Sequence, residues 1–320
     1  MIFTDKTWGE IRTDLAFEAH QLVAGKRGSS LPGVETQSEE KGVAKVTRVI
    51  IQTPEAGQAL GKQPGYYVTI ESQALRGRDK DELEEVAKVI AGEIQRFIRG
   101  FNFTDEATAM VVGLGNWNAT PDALGPKVVE KILVTRHLFQ SSPPEKRGGL
   151  RPVCAVSPGV LGITGIETKE IVAGIVQRIK PSFVLVIDAL ASRNTNRMGS
   201  TVQIANTGIN PGSGIGNRRL GLTAESLGVP VIAVGVPTVV EAKTIIYDAL
   251  EQISGLGGPP LQESRKEVVD RVLSPFFQDL IVTPKEIDVL IQDISRALAG
   301  AINLALHPGV TAEEVFRYLE

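Results

Sequence analysis

Phe183-Val-Leu-Val-Ile-Asp188 and Ala109-Met-Val-Val-Gly-Leu-Gly115 are two apolar runs that each lead to an aspartate. Asp188 ends the first run directly, and Asp122 follows the second in the loop Asn116-Trp-Asn-Ala-Thr-Pro-Asp-Ala-Leu-Gly-Pro126. Short apolar runs are typical of strands buried in a parallel sheet, which places chemistry at the carboxyl ends of its strands. We therefore predict that Asp122 and Asp188 meet at one edge, as a carboxylate pair able to share a proton.

The segments around these runs alternate between strand and helix patterns. Strands are predicted near 109–114, 152–157, 183–187 and 229–236, and helices at 80–99, 126–139 and 168–180. Alternation of this kind favours an α/β fold with a mostly parallel sheet flanked by helices on both faces. The order of the strands does not follow from the pattern.

Both ends of the chain depart from this alternation. Residues 1–40 are polar and irregular, and 43–74 alternate β-branched and polar positions, which predicts a small N-terminal β extension. A Gly/Pro-rich link at 254–263 leads to a helical C-terminal tail at about 264–320. Thr-x-x-Glu capping boxes predict helix starts at Thr238, Thr283 and Thr311.

Composition excludes several classes of protein. The 320 residues are 42% hydrophobic and 22% charged, with a net charge of -3, so disorder and nucleic-acid binding as the main role are disfavoured. The single cysteine, Cys154, forbids an intrachain disulfide and favours a reducing compartment. No signal-peptide core and no run of about 18 apolar residues occurs, which disfavours secretion and membrane insertion.

Other hydrolytic chemistries have few candidate residues. His20, His137 and His307 are far apart and lack zinc-ligand spacing, so no metal site is predicted. Cys154 has apolar neighbours, which raise a thiol pKa and favour a structural role. Each aspartate also has a purely structural alternative: Asp122 near a helix N-terminus, and Asp188 closing a turn.

Polar groups near the predicted edge are candidates for substrate binding. Asn116, Trp117 and Asn118 offer orienting amides and an apolar wall. Asn217 and Arg218 offer donors to an acidic substrate, although solvation at the surface explains the arginine equally well.

These motifs closely resemble the germination proteases of spore-forming bacteria, over nearly the whole chain. The matching segments are Val-Val-Gly-Leu-Gly-Asn-Trp-Asn-Ala-Thr-Pro-Asp-Ala-Leu-Gly-Pro at 111–126, Val-Thr-Arg-His-Leu-Phe at 134–139, Pro-Gly-Val-Leu-Gly-Ile-Thr-Gly-Ile-Glu-Thr at 158–168, Ile-Asp-Ala-Leu-Ala-Ser-Arg at 187–193, Asn-Thr-Gly-Ile-Asn-Pro-Gly-Ser-Gly-Ile-Gly-Asn at 206–217, Gly-Val-Pro-Thr-Val-Val at 235–240 and Val-Thr-Pro-Lys-Glu at 282–286.

The resemblance implies a homotetrameric endopeptidase that degrades small acid-soluble spore proteins during germination, in the cytoplasm of the forespore and the spore core. It implies a fold like that of hydrogenase maturation endopeptidases, and Asp122 and Asp188 as the catalytic acids, with no cofactor. Bacillus-type members carry a long insertion after the helix at 239–253, where this chain has only its Gly/Pro-rich link. That departure puts any tetramer contact or gating role of the insertion in doubt.

The resemblance also gives the N-terminus a role. Family members are made as inactive precursors and cut after an acidic residue, before a hydrophobic residue followed by alanine. Asp14, Leu15 and Ala16 match that order, so we predict autoprocessing between Asp14 and Leu15, with residues 1–14 as a propeptide and 15–320 as one catalytic domain. A frayed terminus is the plain alternative. The rival functions are a metallopeptidase with the same substrates and a non-catalytic binding protein.

Overall fold

The computed structural model describes residues 13–27, 31–141, 143, 148–209, 221–255, 268–269, 271–273 and 280–319. Nine strands in these ranges form one sheet, in the order β1-β2-β3-β7-β8-β6-β4-β5, with β9 paired to β8. The strands are β1 Val34–Lys41, β2 Ala44–Ile51, β3 Gly65–Glu71, β4 Ala109–Gly113, β5 Val153–Val156, β6 Phe183–Ser192, β7 Thr201–Ala205, β8 Val231–Glu241 and β9 Ile281–Val282.

The helices alternate with these strands along the chain. They are α1 Ala16–Arg27, α2 Pro54–Leu60, α3 Lys80–Gly100, α4 Leu124–Val129, α5 Arg136–Ser141, α6 Leu161–Thr164, α7 Thr168–Ile179, α8 Ala224–Leu227, α9 Ala242–Gly255, α10 Ile287–Leu306 and α11 Ala312–Tyr318. The predicted α/β class is confirmed, and so is a C-terminal tail rich in helix. The helix predicted at 126–139 is two short helices, α4 and α5, rather than one.

The sheet as a whole is mixed rather than mostly parallel. The predicted parallel arrangement holds for β5, β4, β6 and β8, which pair in parallel. β1, β2, β3 and β7 pair antiparallel, and β7 meets β8 antiparallel. The predicted β extension is therefore joined to the same sheet, because β7 bridges its strand β3 to the parallel half. β1 extends it at the far edge, and its polar sequence suits a strand with a solvated side.

Two of the three predicted capping boxes are not helix starts. Thr311 does form the reciprocal box with Glu314 at the start of α11. Thr238 instead lies in β8, and α9 begins at Ala242. Thr283 donates its hydroxyl to the Thr238 carbonyl oxygen at 2.9 Å, and α10 begins at Ile287. Burial of a long apolar strand thus outweighs the local capping signal at Thr238.

Helices cover both faces of the sheet. On one face α3, α4 and α10 pack on a large core that includes Ile94, Leu124 and Ile302. On the other face Val172 and Val176 of α7 and Leu227 of α8 pack against Met110, Val112 and Val186, and α1 and α2 cover the antiparallel half. By length and composition α10 could cross a membrane, but 67% of its most apolar window is buried, which suits a core helix.

A buried histidine ties the end of α10 to the sheet. His307 is fully buried; its Nδ1 accepts from the Arg151 backbone N–H at 3.3 Å, and its Nε2 lies 3.0 Å from the Leu133 carbonyl oxygen. These contacts suit the neutral ring with its proton on Nε2. Burial lowers the pKa of His307, and the nearby Arg151 guanidinium lowers it further, against the hydrogen bond to Leu133.

We expect stability to fall as the pH drops below about 6.5, the ordinary histidine pKa. Below that value the unfolded chain takes up a proton that the folded chain resists, so stability is lost down to the lowered folded pKa. Burial also lowers the pKa of His20, which contributes with the same sign. Urea unfolding between pH 8 and 5.5 measures the slope. His307→Gln is expected to be less stable at pH 8 and to show a shallower slope; an unchanged slope contradicts the assignment.

Candidate active site

The two aspartates leave the sheet at the same edge. Gly113 of β4 pairs in parallel with Ile187 of β6, and the Leu114 N–H donates to the Ile187 carbonyl oxygen at 2.8 Å. Leu114 therefore lies beside Asp188, and the loop after β4 starts where Asp188 stands. The short turn Thr120–Asp122 contacts both β6 and β8. The structure thus brings the two strand ends together, with Asp122 on the loop and Asp188 on the strand, and the meeting of their two carboxylates stays a prediction.

Glycines make the tight return of the Asp122 loop possible. A Cβ on Gly115, whose φ is +118°, would lie 1.9 Å from the Asp122 carbonyl oxygen. A Cβ on Gly113 would lie 2.2 Å from the Gly125 carbonyl oxygen, and one on Gly125 would lie 2.2 Å from the Leu114 carbonyl oxygen. The chain can return against its own strand end only because these positions lack side chains. The packing fixes where Asp122 lies.

The carboxylates are held by backbone donors. Asp122 Oδ2 accepts from the Asn116 N–H at 2.8 Å, and Asp188 Oδ1 accepts from the Ala189 N–H at 2.9 Å. Asp188 is 6% exposed, whereas Asp122 is half-buried. Both acids have further interactions beyond these. A proton shared between them remains a prediction.

A row of three residues crosses the sheet at the level of Asp188. Asp188 pairs with Gly235 of β8, and Gly235 pairs with Gln203 of β7. Residues paired in register point to the same face, so Gln203 and Asp188 share a face two strand spacings apart, about 10 Å. Gly235 has no side chain to place between them, and the Leu190 side chain fills the space above Gly235.

The predicted processing site lies against the carboxyl end of β6. The Asp14 N–H donates to the Ala191 carbonyl oxygen at 3.3 Å, and Asp14 Oδ2 accepts from the Ala191 N–H at 3.0 Å. Ala191 follows Asp188 by three positions in β6. Leu15 and Ala16 are both 0% exposed. Of the three residues around the predicted cut, Asp14 is thus hydrogen-bonded to β6, and Leu15 and Ala16 are buried.

Two side chains that the sequence did not single out contact the backbone of this segment. Lys62 Nζ donates to the carbonyl oxygens of Thr13 and Asp14, at 3.0 and 2.8 Å. Gln203 donates through Nε2 to the Asp14 carbonyl oxygen at 3.0 Å and accepts from the Ala16 N–H at 2.6 Å. Lys62 lies in a Gly/Pro-rich turn and Gln203 in a short strand. Neither position carries a sequence signal of its own.

The candidate substrate-binding residues have different positions. Trp117 is 50% exposed, and its ring lies beside Gly159, in the loop that leads to α6. Asn118 is exposed, while Asn116 uses its side-chain oxygen to accept from the Asn118 N–H at 2.9 Å. Trp117 and Asn118 are therefore open to a ligand, and Asn116 shapes the loop. Asn217 and Arg218 lie outside the described residues.

The alternative chemistries gain no support from the described part of the chain. Burial raises the pKa of the Cys154 thiol, as the sequence predicted for a structural cysteine. Within those same ranges, no three His, Cys, Asp or Glu side chains come close enough to hold a metal ion. His137 is exposed on α5, and His307 is engaged in structural hydrogen bonds.

Comparison with known proteins gives consistent matches. The germination protease family model matches residues 13–258 and 251–319. The germination protease of Caldanaerobacter subterraneus is 49% identical, covering 97% of this chain and 98% of the relative. That of Clostridium tetani is 43% identical over 97% and 99%. That of Halalkalibacterium halodurans is 40% identical over 96% of each, in an alignment of 360 positions. Because this chain has 320 residues, the last relative carries segments that this chain lacks.

A solved structure of a NiFe hydrogenase maturation protease from Thermococcus kodakarensis also aligns, with a TM-score of 0.32 and 17% identity. It covers 61% of this chain and 92% of that protein. A structural similarity this low says nothing about the functional site.

Proposed function

The chain belongs to the germination protease family, and on that premise we propose that it is an endopeptidase of spore germination that cuts small acid-soluble spore proteins and its own N-terminus. The observation that carries the proposal is the position of Asp14, which pairs with Ala191 of β6 three residues beyond Asp188, next to the buried Leu15 and Ala16. A segment that matches the family's cleavage pattern thus lies on the strand that carries Asp188. The proposed setting is the cytoplasm of the forespore and the spore core.

The proposed mechanism is hydrolysis by an aspartate pair. One ionised carboxylate of Asp122 and Asp188 takes a proton from a water molecule, whose oxygen attacks the scissile carbonyl carbon. The other, protonated carboxyl donates a proton toward the carbonyl oxygen or the leaving amine. As the tetrahedral intermediate collapses, the C–N bond breaks, the amine leaves with a proton, and a new carboxyl group remains. The protons belong to the pair, so its titration is shared between the two residues.

The test incubates the purified full-length chain and then adds a small acid-soluble spore protein. Mass spectrometry of the products is expected to show loss of residues 1–14, and cuts in the added protein after Asp or Glu and before a hydrophobic residue followed by Ala. A chain that leaves both itself and the added protein intact overturns the proposal in favour of a binding protein. Loss of activity on chelation, restored by zinc, favours the metallopeptidase instead.

Ala16→Leu is expected to block self-processing. Ala16 is 0% exposed and its N–H is held by Gln203, so three added carbons have no space there without moving the cut bond. The rate of appearance of the shortened chain is expected to fall at least about 10²-fold, because a displacement of about 1 Å has that effect. Leu15→Met nearly conserves volume and is expected to process near the wild-type rate. Equal rates for Ala16→Leu and wild type contradict this arrangement.

We also propose the homotetramer that the resemblance implies. Several large apolar side chains near α9 and β9 are exposed, which is typical of an interaction surface. They are Ile253, Val268, Val272, Ile281 and Val282. The molar mass in solution, by light scattering, tests the assembly.

A further inference from the structure

The carbonyl oxygen of Asp14 is the acceptor of two side-chain hydrogen bonds from different parts of the sheet. Lys62, in the turn before β3, donates at 2.8 Å, and Gln203, on β7, donates at 3.0 Å. This oxygen belongs to the peptide bond between Asp14 and Leu15, which is the bond that the proposed function would cut. Donors at this distance are what a developing oxyanion needs.

The surroundings strengthen these two contacts. Lys62 is half-buried, and burial lowers the pKa of its ammonium, while the nearby carboxylates of Asp14 and Glu18 favour the charged form. A cation in such a place interacts more strongly with a developing negative charge than a solvated one does. Gln203 is also fixed, because its Oε1 accepts from the Ala16 N–H at 2.6 Å. Together the two side chains bind the Asp14 carbonyl oxygen and the Ala16 N–H, on either side of Leu15.

The direction of the Gln203 side chain relates these hydrogen bonds to the position of Asp188. Gln203 and Asp188 point to the same face of the sheet, with Gly235 between them in register. The Asp14 carbonyl oxygen, which Gln203 holds, therefore lies on the face that Asp188 occupies. Asp14 is bonded to Ala191 of β6 and Ala16 to Gln203 of β7, so the bond between Asp14 and Leu15 lies between the donors and the strand that carries Asp188.

We propose that Lys62 and Gln203 form the oxyanion-binding site of this protease, in self-processing and in substrate cleavage. The inference rests on the proposed cut between Asp14 and Leu15. When water adds to the Asp14 carbonyl carbon, the electron pair of the C=O bond moves to the oxygen, and Lys62 and Gln203 stabilise it there. When the C–N bond breaks, the pair returns to re-form the C=O bond, and Lys62 keeps its proton throughout.

The test compares single-turnover processing of full-length variants by mass spectrometry. Lys62→Met is expected to slow the cut between Asp14 and Leu15 about 10²- to 10³-fold, the usual loss for one oxyanion donor. Gln203→Met is expected to slow it by a similar factor. Lys45→Met, on the exposed side of β2, is the matched control and is expected to process at the wild-type rate. A melting curve for each variant separates loss of rate from loss of fold.

The pH dependence of the rate in Lys62→Arg distinguishes an electrostatic role of Lys62 from a merely structural one. The pair of acids must keep one proton, so wild type and Lys62→Arg are both expected to lose rate as the pH rises through the titration of that pair. Deprotonation of Lys62, whose pKa lies below 10.5, adds a second fall that makes the loss of rate with pH steeper in wild type. Arginine stays charged, so Lys62→Arg is expected to retain part of the rate and to show only the first fall. A second fall that persists in Lys62→Arg overturns the inference, even if Lys62→Met fails to fold.

The outcomes separate this inference from the proposed function. A wild-type cut between Asp14 and Leu15, with Lys62→Met as fast as wild type, overturns the oxyanion site alone. A wild-type cut at another bond overturns the processing site, and the oxyanion site with it.

Discussion

Replacing Asp188 with Asn is expected to lower both self-processing and cleavage of the added spore protein by at least about 10³-fold, and Asp122→Asn should do the same. Asparagine has nearly the same shape and keeps a side-chain oxygen. The bond from the Ala189 N–H in one variant, and from the Asn116 N–H in the other, can therefore survive. What each variant loses is the ability to take up or give a proton.

Rates from mass spectrometry measure this effect, with Asp81→Asn on the exposed first turn of α3 as the control for a lost carboxylate. The double variant of Asp122 and Asp188 is expected to be little slower than either single variant, because groups that act as a unit are not additive. A single variant that keeps more than about a tenth of the wild-type rate removes that residue from the mechanism.

Gly113→Ala is expected to destabilise the protein by at least about 3 kcal/mol, since overpacking against backbone leaves little room to relax. The added Cβ would lie 2.2 Å from the Gly125 carbonyl oxygen and 2.5 Å from its carbonyl carbon. Relief requires that α4 and the preceding loop move away from β4. Asp122 moves with them, so activity is expected to fall further than the folded fraction does.

Urea unfolding and processing rates on the same samples measure both effects. Gly92→Ala is the matched control, because Gly92 lies inside α3 and, apart from the backbone of the helix itself, no atom lies within 4 Å of an added Cβ. Alanine is the better helix former there, so this variant should gain roughly 0.5–1 kcal/mol. If both variants unfold at the same urea concentration, the close approach of β4 and α4 does not determine the stability of the protein, which contradicts the prediction.

The parallel half of the fold follows from its apolar sequence. β4 and the first half of β6 are short, continuous hydrophobic runs, and α3 and α7 show clear helical spacing. The antiparallel half was partly missed. β1 is polar because most of it is solvent-facing, and β7 has only five residues, so neither carries a strong strand pattern.

The candidate site divides in the same way. Asp122 and Asp188 were predictable because each follows a buried strand, which is a local signal. Lys62 and Gln203 were not, since their role depends on a segment more than 45 residues away from either of them in the chain. Only the pairing of β7 between β3 and β8 places both next to Asp14. Tertiary proximity of this kind leaves no trace in a single sequence.

The pairing of Asp14 with Ala191 has a consequence for timing. A tethered peptide occupies a slot at an effective concentration on the order of millimolar, whatever its intrinsic affinity. While residue 14 stays attached to Leu15, any foreign polypeptide must displace a competitor that cannot diffuse away. The proposed cut of that one bond would turn the tethered segment into a dilute product, and the backbone of Ala191 would become available to other chains.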